Sequence, residues 1–168
     1  MKGLRSVTIG MHNPIIHGLL VVLAWRRIYR CNPTWKELVC ILLHDVGYIK
    51  QDFIDGEGDK HPELGAQICG RLFGEKYYIL CITHSRDYAK KLNLPLSMLG
   101  YADKYSVLLI PNLIYRPLIY SGGEAQEYHK TTKTKKWGYP IKTQLIKDDY
   151  RKWWMHNSPI VRQSHDTP

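Results

Sequence analysis

The stretch "CILLHDVGYIK", residues 40–50, runs a set of apolar residues straight into an imidazole and a carboxylate, His44 and Asp45, and then turns at Gly47. Buried polar and charged groups are costly unless paired, and a divalent cation pairs with them more strongly than any side chain. A helix built for burial that ends on this dyad therefore points to a partner supplied by the rest of the chain. The helix itself is legible: "TWKE" at residues 34–37 has the form of a capping box, with Thr34 accepting from the amide near Glu37 and Glu37 reaching back. Behind it, Trp35, Leu38, Val39, Leu42 and Leu43 keep a helical period.

The same period recurs on both sides. Residues 14–30 form a helix ahead of it, with Asn13 placed to cap and Pro14 in the first turn, where proline is tolerated. After the polar, glycine-bearing loop "QDFIDGEGDK" come a third helix over residues 62–73 and a fourth from residue 75 to about 84. "SRDYAKKLNLPL" breaks at Pro95, and a fifth helix, opened by Ser97, is ended or kinked by Pro111. With no repeat, low-complexity tract or run of alternating strands, the expected fold is all-α. It comprises a helical bundle over residues 1–122, a basic aromatic extension over 123–156 packed on it, and a flexible tail over 157–168.

A chain of 168 residues, 44% hydrophobic and 23% charged, has the size and composition of one ordinary globular domain. No stretch approaches the roughly 20 apolar residues of a membrane span. The run "PIIHGLLVVLAW" carries a histidine and ends at Arg26 and Arg27, whereas a signal peptide places its charges in front. Cys31, Cys40, Cys69 and Cys81 contain no CxxC pair and read as reduced core residues of a cytoplasmic protein. The net charge of +9 has a local source: residues 130–152 hold eight Lys or Arg interleaved with Trp137, Tyr139 and Tyr150, and Trp153 and Trp154 follow. Such a segment suits phosphates and stacked bases of a nucleic acid. It equally suits a solvated basic helix whose aromatics dock on the domain.

Adjacent residues of a helix point about 100° apart, so His44 and Asp45 meet one ion only at a helix end or from two sides of a metal cluster. Further ligands must come from elsewhere. A second His-Asp pair, His165 and Asp166, lies in the polar tail with no helix and no companions. The first pair has company: His17 in the first apolar helix, His61 at the start of the third, His84 at the end of the fourth and Asp103 inside the fifth. His12, His129, His156 and His165 read as ordinary core or surface histidines.

This order, His17, His44 with Asp45, His61, His84, Asp103, resembles the HD-domain superfamily of metal-dependent phosphohydrolases over roughly residues 12–120. "LLHDVGYIK" is similar to that family's "LLHDIGK" turn, "HPELGAQI" to its second-histidine helix and "YADKY" to its last-aspartate helix. The resemblance implies that His17, His44, Asp45 and Asp103 hold one metal, and that His61 and His84 belong to a binuclear branch in which Asp45 bridges two ions. Two divalent ions can share a water, lower its pKa and clamp phosphate oxygens during in-line displacement. The expected function is therefore hydrolysis of a phosphoester or phosphoanhydride of a small, nucleotide-type substrate, with Asp45 at the catalytic centre. His and carboxylate ligands suit iron or manganese, the pair favoured by the resemblance, with cobalt, nickel, zinc or magnesium also compatible. Ser85 and Arg86 beyond His84, Lys104 beyond Asp103, and Lys50 and Lys60 around the loop are candidates to bind the phosphate, and Arg86 and Lys104 also to assist its chemistry.

Two other functions share these residues. Similar ligand sets serve mixed-valent di-iron oxygenases of small hydroxylated or phosphonate substrates. A nucleic-acid-binding module could also keep the metal as a brace, although structural sites are usually thiolate-rich. The acidic loop is no EF-hand, because counting from Asp52 puts Glu57 where the sixth-position glycine is required. The oligomeric state is left open by the sequence.

Overall fold

The side-chain oxygen of Asn13 accepts from the backbone amides of Ile15 and Ile16, both at 3.1 Å, and so starts the second helix of the chain. The molecule is seen here as a computed structural model that describes residues 2–51, 60–123, 125, 148, 151–152 and 154–157. Its helices are α1 (Lys2–Ile9), α2 (Pro14–Tyr29), α3 (Trp35–Leu43), α4 (His61–Phe73), α5 (Glu75–Ile82), α6 (Arg86–Lys91), α7 (Met98–Leu109) and α8 (Asn112–Ser121), with a 3-10 helix, Val46–Lys50, after α3. No strand occurs among the described residues, and the fold is all-α.

The local signals act as their chemistry requires. Thr34 Oγ1 accepts from the Glu37 amide while Glu37 reaches back to the Thr34 amide at 2.7 Å, which closes the capping box of α3. Ser97 Oγ accepts from the Gly100 amide and opens α7. Pro111, which has no amide hydrogen to continue α7, instead precedes α8. Three helices had no counterpart in the sequence reading: α1, α6 and the separate α8. The expected fourth helix stops at Ile82, two residues before His84.

α2 packs against α7 and α4 against α5, while α3 contacts α2, α4 and α5. Between them lies the main core, with Val21, Ala24, Trp25, Ile41, Ile82 and Leu99 all at or near zero exposure. A second cluster, Met11, Val107, Ile110, Tyr115 and Ile119, seats α8 beneath the end of α7. Burying these side chains contributes about 1.5–3 kcal/mol for each large one.

Two glycines let helices approach more closely than any other residue would allow. A Cβ on Gly65 of α4 would stand 2.2 Å from the Leu43 carbonyl oxygen and 3.1 Å from the His44 Cα. One on Gly47 would stand 2.1 Å from the His61 carbonyl oxygen. The backbone of α4 is thus pressed against the turn that bears His44 and Asp45.

No single helix among the described residues is long and apolar enough to cross a membrane; α1 and α2 reach that length only as a pair bent by 70°. Cys40, Cys69 and Cys81 are free and buried as expected, but Cys31 is exposed, because α2 ends just before it with Arg30 in a left-handed conformation. Trp154 packs on Tyr105 and Tyr101 of α7, at 4.7 and 6.2 Å between ring centroids, so this aromatic of the C-terminal segment docks on the domain. Most of the basic stretch 130–152, the tail after residue 157, and the loop residues Asp52, Asp55, Glu57 and Asp59 lie outside the described residues.

Candidate metal centre

Five elements deliver one titratable group or more to a common point. His17 comes from the first turn of α2 and Asp103 from the middle of α7, and the packing of those helices sets His17 Nε2 3.0 Å from Asp103 Oδ1. His44 is the C-cap of α3 and Asp45 the turn residue after it. The dyad therefore sits where a helix ends, the place where two neighbouring side chains can converge. His61 begins α4, and His84 follows the last turn of α5.

Asp45 is the hub. Its Oδ2 lies 3.4 Å from His17 Nε2 and 3.2 Å from His44 Nε2, while its Oδ1 lies 3.3 Å from His84 Nε2 and 3.6 Å from His61 Nε2. His61 and His84 are themselves 3.1 Å apart through their Nε2 atoms. All six residues are buried, none above 8% exposure.

These donors fit a metal ion. Ligand bonds of about 2.1 Å place the donors of one ion about 3.0–3.5 Å apart in tetrahedral or octahedral arrangement, which is the spacing seen here. The sets His17, His44, Asp45 and Asp45, His61, His84 each gather their donor atoms within 4.8 Å, as do His44, His84 and Asp103. Moreover, the Nε2 atoms of His17 and His44 are buried without a hydrogen-bond partner although carboxylate oxygens stand close by, an arrangement that a cation between them resolves. The opposite ring nitrogens complete the pattern. Nδ1 of His44 donates to the Ile41 carbonyl at 2.7 Å and Nδ1 of His84 to the Cys81 carbonyl at 2.5 Å. Each bond fixes the ring so that Nε2 turns its lone pair inward.

The electrostatics separate these groups. Burial alone would raise the Asp45 carboxyl, but the charges of His44 and His12 hold it well below the usual range. Asp103 is likewise lowered against its burial by Lys104, whose ammonium lies 2.5 Å from Oδ2, and by His17. Burial lowers His84 to about 4. For His44 the same burial is overcome by Asp45, and its pKa is raised.

The expected phosphate-binding residues are placed less closely. Lys104 is half-buried and engaged with Asp103. Ser85 is half-buried at the start of α6, and Arg86, Lys50 and Lys60 are exposed around the centre's elements.

One residue was missed. His12, read as an ordinary histidine, lies with Nε2 3.9 Å from Asp45 Oδ2 and its ring 4.4 Å from that of Tyr48. Its Nδ1 bonds Ser6 Oγ of α1 at 2.7 Å. The only sequence signal was its position five residues before His17, which means nothing until α1 is known to fold back on the 3-10 helix.

Comparison of the chain with protein-family models, curated proteins and solved structures finds no match. The functional reading rests on the residues themselves.

Proposed function

We infer that this chain is a metal-dependent phosphohydrolase of the HD-domain kind, acting on a phosphoester or phosphoanhydride of a small nucleotide-type substrate. The observation that carries the reading is the division of Asp45, whose two oxygens face two different sets of histidines. One set, completed by Asp103, suits one cation and the other suits a second, with Asp45 shared. Imidazole and carboxylate donors without a thiolate match iron or manganese. When bound, such a pair supplies a water of lowered pKa and Lewis acidity at phosphate oxygens.

The chain's own residues do the rest. Carbonyl bonds at Nδ1 hold His44 and His84 in the tautomer that presents Nε2. Lys104 neutralises the outer oxygen of Asp103 and leaves Oδ1 turned toward His17. Arg86, exposed beside the turn that carries His84, offers a planar fork to a phosphate. Burial of the centre strengthens each of these interactions relative to water.

The test is metal analysis of the purified protein alongside a phosphate-release screen over a panel of nucleotides. Two metal equivalents with phosphate release are expected. Oxygen consumption without phosphate release would replace the hydrolase by an oxygenase, and absence of bound metal after reconstitution would end the reading.

A further inference from the structure

Three of the four cysteines meet in the core. Cys40 of α3, Cys69 of α4 and Cys81 of α5 have no exposed surface, and their sulfurs lie within 4.8 Å of one another. No local motif gathers them; the packing of three helices does. Val21, Ala24, Ile41, Ala66, Ile82 and Leu99 share their cluster and bring no charge to it. A single buried cysteine is explained as a small apolar side chain. Three thiols converging on one point have the arrangement that a three-coordinate ion requires, since metal–sulfur bonds of about 2.3 Å set sulfurs about 3.5–4 Å apart.

We propose that Cys40, Cys69 and Cys81 form a closed trithiol site for a soft, trivalent, three-coordinate ion of the arsenite class, separate from the His/Asp centre. Charge selects the ion. Three thiolates with a monovalent copper leave two negative charges, and with zinc they leave one, together with an open fourth position. No fourth His, Cys, Asp or Glu donor among the described residues joins the group. A trivalent ion leaves no net charge, and in a site with no exposed surface an uncompensated charge is the most expensive feature.

The step balances without an oxidant. As(OH)3 condenses with three S–H groups; three As–O bonds break, three As–S bonds form and three waters leave, with arsenic unchanged in oxidation state. The site backs onto the His/Asp centre: the Cys40 carbonyl accepts from the His44 amide at 2.9 Å and the Cys81 carbonyl from His84 Nδ1. Its test does not use catalysis.

The full chain carrying Cys31→Ser, which removes the one exposed thiol, is refolded from denaturant with arsenite so that the ion enters before the core closes. Intact mass is expected to show one arsenic in place of three protons, with a raised thermal midpoint. Cys69→Ala and Cys81→Ala in that background are expected to bind arsenite at least about 100-fold more weakly, as lost chelation dictates. No arsenic uptake, replacement of only two protons, or uptake of copper(I) or zinc in preference to arsenite overturns the proposal. The proton count decides it from the Cys31→Ser chain alone if the alanine variants fail to fold.

Discussion

His17 Nε2 and Asp103 Oδ1 lie 3.0 Å apart, joining α2 to α7 at the buried centre, while the other oxygen of Asp103 holds Lys104 at 2.5 Å. One carboxylate thus faces the centre with one oxygen and a cation with the other. Among the described residues no lysine pairs with Asp45: Oδ2 has His17 and His44 nearby, and Oδ1 has His61 and His84. That difference makes Asp45 the residue to test first.

Asp45→Asn preserves volume and removes the charge both sets of histidines face. Metal content measured by elemental analysis is expected to collapse, and phosphate release to fall about 1,000-fold or more, given the several kcal/mol that metal ions contribute to such reactions. Helical circular dichroism should be retained. Turnover that persists in this variant would refute the proposed chemistry.

The metal-free protein should be most stable near pH 6.5. His84 falls from its ordinary 6.5 to about 4 in the fold, so between those values the unfolded chain binds more protons and stability drops as pH falls, by roughly 3 kcal/mol in all. His44 is raised, so its contribution is present below its ordinary value and is lost as pH rises through its folded pKa. Asp45 and Asp103, both lowered, add a further loss at the most acid end. Urea midpoints of chelator-treated protein across pH 4–8 check this, and a monotonic profile would contradict it. Because a cation at Nε2 competes with the proton that the raised pKa of His44 favours, metal binding should release more protons as pH falls, measurable by calorimetry in buffers of different ionisation enthalpy.

Gly65→Ala is expected to destabilise the protein by about 1–3 kcal/mol, since its Cβ would overlap the Leu43 carbonyl. The shift of α4 also carries His61 away from the dyad, so metal affinity should weaken together with stability. The exposed Gln67→Ala on the same helix should change stability by less than about 0.5 kcal/mol. Equal denaturation midpoints for the two variants would show that the close approach is dispensable.

His12→Ala should leave the fold intact and weaken metal binding about tenfold, the usual size of an outer contact to a ligand. Its ring, next to Tyr48 and 3.9 Å from Asp45 Oδ2, restrains that oxygen. Unchanged affinity in a metal titration would return His12 to the status of a bystander.

The sequence by itself determined the helices whose ends carry their own chemistry. Asn13, the Thr34–Glu37 box and Ser97 each satisfy amides within their own first turn, and Pro111 cannot extend the helix before it, so those boundaries need no distant contact. It also singled out His17, His44, Asp45, His61, His84 and Asp103, because a polar residue within an apolar helical period is visible without coordinates. α1 was not legible, since its eight residues find their partners on the 3-10 helix through contacts such as the Gly3 amide to the Gln51 carbonyl. Nor was His12, which stands beside the centre with its Nδ1 bonded to Ser6 of α1, nor the convergence of Cys40, Cys69 and Cys81. The division of Asp45 between two sets of donors was decided by tertiary structure as well. Local hydrogen bonding fixes where a helix starts, but which side chains share a point depends on how closely helices pack, and that distance is set by glycines such as Gly65 meeting a backbone far away in the chain.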